Sequence, residues 1–238
     1  MPRFVFAAVL AVLLMPWHAH GASELDSPPP LVQVGRLAAG SSPASEIWKQ
    51  PAGIPRLEYY VFDYLPSQQT EVRLACDSAN LYVAMRCLES QPGKIRTEQT
   101  ARDSDLTSDD CVSVYLDPDN DPKTYYHLLA NAAGVQYDEK DAMGFPASWD
   151  AKWQVETSRG EKEWRALFTI PFASLGVSAP RGGEVWRANF GRRSKPSNER
   201  SIWATVRGHL VEPERWGSIV FAGEQALTAT CSLTDINS

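Results

Sequence analysis

Apolar and polar residues alternate one by one in many short segments of the chain, which is the pattern of half-buried β-strands. Residues 72–76 and 81–87 both alternate in this way, and the turn-forming residues 77–80 between them predict a β-hairpin. Similar segments predict strands at 112–116, 125–131, 135–138, 152–157, 164–170, 185–190 and 218–221, while residues 171–176 suggest a helical turn. We therefore predict an all-β fold, a β-sandwich or jelly roll of about ten mostly antiparallel strands.

The two ends of the chain differ from this alternating region. Arg3 precedes an unbroken apolar run at residues 4–15, and small residues follow at Ala19 and Gly21, which predicts a signal peptide over 1–21. Proline-rich and small-residue stretches predict an N-terminal tether over 22–46, a β-sandwich domain over 47–224 and a C-terminal tail over 225–238. The apolar run is too short for a membrane span. We expect a secreted protein, extracellular or periplasmic.

Composition narrows the choice of partner. A hydrophobic fraction of 43% can form a full core, and a net charge of -6 argues against nucleic acid or an anionic membrane as the main partner. The four cysteines would meet an oxidising compartment after export, so one or two disulfides are expected, and three complete pairings stay open. Their spacing does not fit a zinc site.

The stretch "TSDDCVSVYLDPDNDPKTYY", residues 107–126, contains five aspartates within thirteen positions. Asp109 and Asp110 are adjacent, so on a strand their side chains would point to opposite faces and could not flank one scissile bond. The segment "DPDNDP" has the residues of a turn and predicts a hairpin between "CVSVYL" and "TYYHLLAN".

A calcium site is the other hypothesis for this acidic run. An EF-hand loop is excluded, because Pro122 and Leu128 stand where that loop needs glycine and glutamate. A structural calcium site of another kind stays open, with three candidate ligands: Asp117, Asp119 and Asp121. No other cofactor is required.

Several segments in succession carry a family resemblance. The order "EIWKQPA", "TEVRLACDSANLYVAMRCLES", "RDSDLTSDDCVSVYLDPDNDPKTYYHLLANAAGVQYD", "WRALFTIPFASLG", "WRANFGRR" and "EPERWGSIVF" resembles the family 9 carbohydrate-binding modules and their DOMON-like relatives. The resemblance extends over residues 47–221. It implies a β-sandwich that binds sugars outside the cell, in some members with structural calcium.

The resemblance also implies positions for sugar ligands. In the family, two tryptophans stack on the sugar ring, and their places correspond to Thr107 and Leu210 in this sequence. A glutamate and an arginine that bind sugar hydroxyls correspond to Ser113 and Leu129. Both stacking tryptophans are therefore missing here, which predicts a different set of contacts.

Other residues in loops offer alternative contacts. Trp149, Trp203 and Trp216 are candidates for an aromatic platform, each with a packing role as the alternative. Arg192 and Arg193 follow a predicted strand and could bind sugar hydroxyls or a uronate carboxylate, or else lie in a solvated loop.

We weigh three functions. The first is a secreted, non-catalytic domain that binds an extracellular polysaccharide or oligosaccharide. The second is a haem-binding domain, for which the mature chain offers Met85, Met143, His127 and His209. The third is an accessory domain that has lost sugar binding and contacts exported protein partners. An enzyme is not expected, because no G-x-S-x-G, H-E-x-x-H or P-loop motif is present.

Overall fold

The alternating segments form strands in the computed structural model, which describes residues 28–59, 65–142, 145–147, 149–206 and 211–223. Within these ranges the fold is all-β. The thirteen strands are β1 Leu31–Arg36, β2 Glu58–Tyr59, β3 Thr70–Cys76, β4 Asn80–Leu88, β5 Cys111–Asp117, β6 Thr124–Asn131, β7 Gln136–Ala142, β8 Phe145–Ala147, β9 Gln154–Arg159, β10 Glu163–Pro171, β11 Val185–Ser194, β12 Glu199–Ile202 and β13 Gly217–Phe221.

Helical structure in the described ranges is short. One α-helix covers Pro43–Glu46, and 3-10 helices cover Ile47–Lys49, Pro92–Lys94, Leu106–Ser108, Phe172–Leu175 and Pro213–Arg215. The helical turn predicted at 171–176 is confirmed: it ends at Gly176, whose φ of 70° is a left-handed conformation that glycine adopts without strain. None of the helices in the described ranges has the length and apolar character that a membrane crossing needs.

The strands form one hydrogen-bonded path in the order β8-β7-β6-β5-β11-β13-β1-β3-β4-β10-β9, with β12 and β2 attached to β11. β1 pairs in parallel with both β13 and β3, and all other strand pairs are antiparallel. The predicted mostly antiparallel all-β fold is confirmed. The two separate sheets of a sandwich or jelly roll are replaced by a continuous mixed sheet, because β1 bonds to a strand on each side.

We call β8, β7, β6, β5, β11 and β13, with β12 and β2, the long half of the sheet, and β3, β4, β10 and β9 the short half. β1 joins the two halves. The main hydrophobic core takes side chains from both halves, which therefore face each other across it. On β5, Val112, Val114 and Leu116 point into this core, whereas Ser113 is only half-buried. The hairpin predicted over residues 72–87 is confirmed as β3–β4, with Cys76 opposite Leu81.

The predicted tether over 22–46 needs correction. Residues Leu31–Arg36 are β1, in the middle of the sheet, and Val32 and Val34 are buried in the core. The segment "LVQVGR" has the alternation of a strand, but the proline-rich residues before it and the small residues after it hid this in the sequence. The predicted signal peptide and C-terminal tail lie outside the described residues.

The expected disulfides are also corrected for the described part of the chain. Cys76, Cys87 and Cys111 are buried and free, and Cys231 lies outside the described residues. Burial raises the pKa of Cys87 to about 11 and that of Cys111 to about 12, so both remain thiols at neutral pH. Cys76 and Cys87 therefore serve as small residues of the main core, and Cys111 packs in a smaller buried cluster with Leu106 and Leu129.

Candidate functional site

A pocket of about 110 Å³ lies on the outer face of the long half, on the side of β5 opposite to the main core. Four strands and the turn before β5 line it, through Thr107, Cys111, Ser113, Tyr115, His127, Leu129, Gly191, Arg192, Arg193, Arg200, Ser201 and Ile202. None of these residues is Asp or Glu. The volume is several times the roughly 30 Å³ that one water molecule occupies, so the pocket has room for a group of several heavy atoms.

Strand register arranges the lining residues in three rows across the sheet. The first row is Arg200, Arg193 and Cys111; the second is Ile202, Gly191, Ser113 and Leu129; and the third is Tyr115 and His127. Gly191 leaves a gap in the middle row because it has no side chain. A Cβ at this position would lie 3.6 Å from the Ser113 Cβ and 3.4 Å from the Ser201 carbonyl oxygen, so any longer side chain would extend into the pocket.

The third row ends in a stacked pair of rings. The Tyr115 and His127 rings are parallel within 8° at a centroid distance of 4.0 Å. The His127 Nδ1 lies 2.9 Å from Glu139 Oε1, and the Tyr137 hydroxyl donates to Glu139 Oε2 at 2.7 Å. Since a carboxylate only accepts, Nδ1 carries the proton.

The other ring nitrogen of His127, Nε2, is buried and has no hydrogen-bond partner in the described part of the chain. Burial lowers the pKa of His127, and Glu139 opposes that effect only in part. The ring is therefore neutral at neutral pH, and Nε2 presents an unused lone pair. A buried acceptor without a partner is costly and marks a place where a ligand could donate.

The first row provides positive charge. Arg193 is half-buried, and its Nη1 donates to the Thr107 carbonyl oxygen at 2.9 Å. It forms no ion pair with a carboxylate among the described residues. Burial lowers the pKa of Arg193, and the neighbouring charge of Arg200 lowers it further. The two guanidinium groups therefore repel each other at one end of the pocket.

The structure places three of the family-derived positions in this one pocket. Thr107, Ser113 and Leu129 all line it, and Leu210 lies outside the described residues. The side chains present there are small or apolar, so the place agrees with the resemblance while the chemistry differs. Among the predicted alternative contacts, Arg192 and Arg193 both belong to the pocket lining, although their side chains point in different directions.

Arg192 requires a correction. Its side chain points inward, where Nη2 lies 3.2 Å from Glu89 Oε2 and Nη1 donates to the Leu88 carbonyl oxygen at 2.7 Å. Both side chains are almost fully buried. Because successive side chains on a strand alternate, Arg192 joins β11 to β4 across the core while Arg193 faces the pocket.

Trp216 and Trp203 are packing residues. Trp216 is fully buried and contacts Tyr115 and Tyr125 at ring distances of 5.3 and 5.2 Å, so it packs beside the pocket residue Tyr115 in a small buried cluster. Trp203 follows β12 and lies against Phe190 of the main core at 5.6 Å. A Cβ on Gly217 would lie 2.5 Å from the Trp203 ring, which shows how closely the ring covers that glycine. Neither forms an aromatic platform in the pocket.

Trp149 lies on the other side of the sheet. Its ring is 4.7 Å from that of Tyr126 and packs against the main core. The Tyr126 hydroxyl donates to the Leu175 carbonyl oxygen at 2.7 Å. On β6 the pocket residues His127 and Leu129 alternate with Tyr126, so Trp149 and the pocket are on opposite faces of this strand.

The adjacent aspartates hold loops in place. Asp109 accepts hydrogen bonds from the Glu98 backbone N–H at 2.8 Å and from Asn131 Nδ2 at 2.9 Å. Asp110 accepts from the backbone N–H groups of Arg96 and Lys195 at 2.8 and 3.1 Å. Both carboxylates are buried and serve the approach to β5 rather than a common reaction site.

The three candidate calcium ligands are not assembled as a set. Asp117 is fully buried, Asp119 is exposed, and Asp121 accepts from the Lys123 backbone N–H at 2.9 Å. In the described part of the chain, no group of three or more His, Cys, Asp or Glu side chains is placed to hold a metal ion. These side chains do not form a calcium site made from three carboxylates, and the calcium hypothesis stays a prediction.

Asp117 itself is an unusual acid. Neither of its oxygens accepts a hydrogen bond of normal geometry. Burial raises its pKa to about 6, more than the nearby backbone N–H groups and Arg187 lower it. Because the folded pKa exceeds the unfolded value of 3.8, Asp117 destabilises the fold progressively between about pH 4 and pH 6, and the full cost remains at higher pH.

We expect Asp117→Asn to stabilise the protein at pH 7.5 by about 1 to 2 kcal/mol, because the amide has the same shape without the charge. Below about pH 4 both states of the wild type are protonated, so the gain should vanish there. Chemical denaturation at a series of pH values, with EDTA present, measures this difference.

Asp119→Asn is the matched control, because it removes the same charge from an exposed position in the same turn. It should change the unfolding free energy by less than about 0.5 kcal/mol at every pH. A melting temperature that rises with Ca²⁺ in the wild type and not in Asp117→Asn would show instead that Asp117 is a calcium ligand.

Sequence reasoning missed Tyr115, His127 and Arg200 as pocket residues. One signal was available: alternation in "CVSVYL" puts Cys111, Ser113 and Tyr115 on one face of β5. The partners of this face on β6, β11 and β12 depend on strand register, which the sequence does not reveal.

Comparison with known proteins supports the fold. No family model and no curated protein matches the chain. A solved structure described as a "putative carbohydrate-binding protein" from Bacteroides uniformis matches with a TM-score of 0.66 and 18% identity, covering 81% of this chain and 99% of that one. Two structures of a family 9 carbohydrate-binding module from Caldicellulosiruptor kristjanssonii also match, each with 13% identity.

The first of these modules is in complex with cellotriose, with a TM-score of 0.56 and coverage of 88% of this chain and 100% of that one. The second is in complex with glucose, with a TM-score of 0.58 and coverage of 87% and 100%. The protein described here therefore has a fold like that of family 9 carbohydrate-binding modules.

Proposed function

We propose that this chain is a secreted, non-catalytic carbohydrate-binding domain and that the outer pocket on β5, β6, β11 and β12 is its sugar site. The observation that carries the proposal is the meeting of Thr107, Ser113 and Leu129 in one pocket. The family resemblance associates these three positions with sugar binding, although they are distant in sequence. The shared fold and the sugar complexes of the matched modules support the same function.

The contacts would differ from those of a tryptophan clamp. Leu129 and Ile202 offer apolar surface to the C–H groups of a sugar ring. Ser113 and Arg193 offer hydrogen bonds to hydroxyls, and His127 Nε2 offers an acceptor. Apolar surface with a few convergent polar groups is typical of small-ligand sites.

The absence of acidic side chains from the pocket lining supports a binding role without hydrolysis. A glycosidase needs two carboxyl groups roughly 5 to 10 Å apart across the bond that it breaks. Of the acids near the pocket, Glu139 is bonded to His127 and Tyr137, Asp105 accepts the Thr107 backbone N–H, and Asp109 and Asp110 hold loops. None of these faces a shared substrate position with a second free acid.

The haem-binding alternative receives no support from the described residues. Met85 is fully buried in the main core, whereas His127 faces the outer pocket. The two side chains therefore do not approach one metal from opposite sides. Met143 and His209 lie outside the described residues.

A glycan array tests the proposed function. We expect the mature wild type to bind one class of oligosaccharide and Trp149→Ala to bind the same glycans with similar affinity. The reason is that Trp149 lies on the opposite face of β6 from the pocket. Circular dichroism before the array would establish that the variant is folded.

Two results would contradict this proposal. If no glycan is retained by the wild type, the domain is an accessory domain for exported partners instead. If folded Trp149→Ala loses binding, the sugar site is on the other side of the sheet. A Soret band in the purified protein would favour the haem-binding alternative.

A further inference from the structure

The two ends of the outer pocket differ in their chemistry. At the end formed by the first row, Arg193 and Arg200 lie opposite each other on β11 and β12. At the end formed by the third row, His127 presents a buried lone pair. A ligand that fits both ends must accept hydrogen bonds and carry negative charge at one end, and donate a hydrogen bond at the other.

The positive end has more cations nearby than Arg193 and Arg200. Lys195 is close enough for Arg193 and Arg96 to lower its pKa, in addition to the effect of its burial. Asp105 is the nearby carboxylate with an opposing effect on Arg193, and its Oδ1 already accepts the Thr107 backbone N–H at 2.8 Å. Arg96 is paired with Glu98 at 2.6 Å. The excess of positive charge at this end is centred on Arg193.

A half-buried arginine beside a second arginine destabilises the folded state through charge repulsion unless an anion binds next to them. Arg193 donates a hydrogen bond from Nη1 to the Thr107 carbonyl oxygen and forms no ion pair within the described residues. A planar carboxylate matches the paired N–H groups of guanidinium better than a neutral hydroxyl does. The first row is therefore suited to a carboxylate ligand.

The acceptor end excludes a second anion. With Nδ1 bonded to Glu139, the neutral His127 can only accept at Nε2, and a carboxylate has no proton to give. A sugar hydroxyl can donate there. Between the two ends, the missing side chain of Gly191 leaves space for a ring that contacts Leu129 and Ile202.

We propose that the outer pocket selects an acidic sugar, a uronic acid unit whose carboxylate faces Arg193 and one of whose hydroxyls donates to His127 Nε2. This inference rests on the proposed carbohydrate-binding function and specifies its ligand class. It makes Arg193 the residue that determines specificity.

The test compares trigalacturonic acid with its methyl ester, which has the same sugar ring and no charge. By isothermal titration calorimetry, the wild type should bind the acid about tenfold more tightly than the ester, because only the carboxylate adds an attraction between opposite charges to its hydrogen bonds with the guanidinium. Rising salt should weaken binding of the acid and leave binding of the ester nearly unchanged.

Arg193→Gln should remove most of this preference, because it weakens binding of the acid much more than binding of the ester: glutamine keeps hydrogen-bonding capacity without the charge. Arg181→Gln is the matched control, since it removes the same charge from an exposed position outside the pocket and should preserve the preference. His127→Gln should weaken binding of the acid and binding of the ester by a similar factor.

The outcomes separate this inference from the proposed function. Equal binding of acid and ester by the wild type, or an unchanged preference in Arg193→Gln, would overturn the acidic-sugar inference and leave carbohydrate binding intact. The wild-type comparison and its salt dependence decide the question even if Arg193→Gln fails to fold. Binding of neither these sugars nor any glycan on the array would overturn both.

Discussion

Arg192→Met should destabilise the protein by about 3 to 5 kcal/mol, the largest effect that we expect from one substitution. The substitution leaves Glu89 charged in a place where its side chain is inaccessible to solvent. It also removes the donor that reaches the Leu88 carbonyl oxygen at 2.7 Å and the Gln68 carbonyl oxygen at 3.3 Å. Urea denaturation at pH 7 measures the loss.

Two further variants show whether burial is the cause. Adding Glu89→Gln to Arg192→Met should recover part of the stability, because the uncompensated charge is then gone. Arg86→Met breaks an ion pair with Glu163 of 2.6 Å on a more exposed part of the sheet, and should cost at most about 1 kcal/mol. If Arg192→Met costs no more than Arg86→Met, Arg192 does not have the structural role assigned to it.

Gly191→Leu should abolish carbohydrate binding while the domain stays folded. The new Cβ makes ordinary contacts with Ser113 and the Ser201 carbonyl oxygen, and the rest of the side chain fills the pocket. The affinity for the best glycan should fall at least about a hundredfold, close to 3 kcal/mol. The unfolding free energy should stay within about 1 kcal/mol of wild type, because glycine is itself unfavourable within a strand.

Gly93→Leu is the control for this prediction. A Cβ at Gly93 would meet no atom within 4 Å, and Gly93 does not line the pocket. It should bind glycans like the wild type. If Gly191→Leu is folded and binds as well as Gly93→Leu does, the outer pocket is not the site.

The strands with the clearest alternation could be predicted from the sequence. β5 and the β3–β4 hairpin were placed within one or two residues, because every second side chain enters the core. β1 was missed, since its buried valines stand in a short segment between proline-rich and small residues. Its place in the sheet depends on parallel pairing with β13 and β3, which are distant in sequence.

The candidate site could be predicted only in part. The resemblance placed Thr107, Ser113 and Leu129 in the sugar site, and the structure brings them together. The partners that give the pocket its charge and its acceptor, Arg200 and His127, join it through the register of β11 with β12 and of β5 with β6. Local sequence does not determine that register, because it is set by packing across the whole sheet.

None of the three candidate tryptophans lines the outer pocket, and their contacts with a ligand stay a prediction. Loop position suggested exposure for Trp149, Trp203 and Trp216, but large aromatic rings gain by packing against other apolar side chains. Trp216 is fully buried beside Tyr115, and the other two are half-buried against the main core. Arg192 and Arg193 differ in role because they are adjacent on one strand and point to opposite faces.

An NMR titration tests the central claim most directly, using ¹⁵N-labelled protein and the glycan that the array selects. We predict that the largest amide shifts fall on residues 111–115, 127–129, 191–193 and 200–202, with little change at Trp149 or Met85. The same titration of Gly191→Leu should show no shifts at these positions. Shifts centred on Trp149, or no shifts at saturating glycan, would contradict the assignment of the outer pocket as the carbohydrate site.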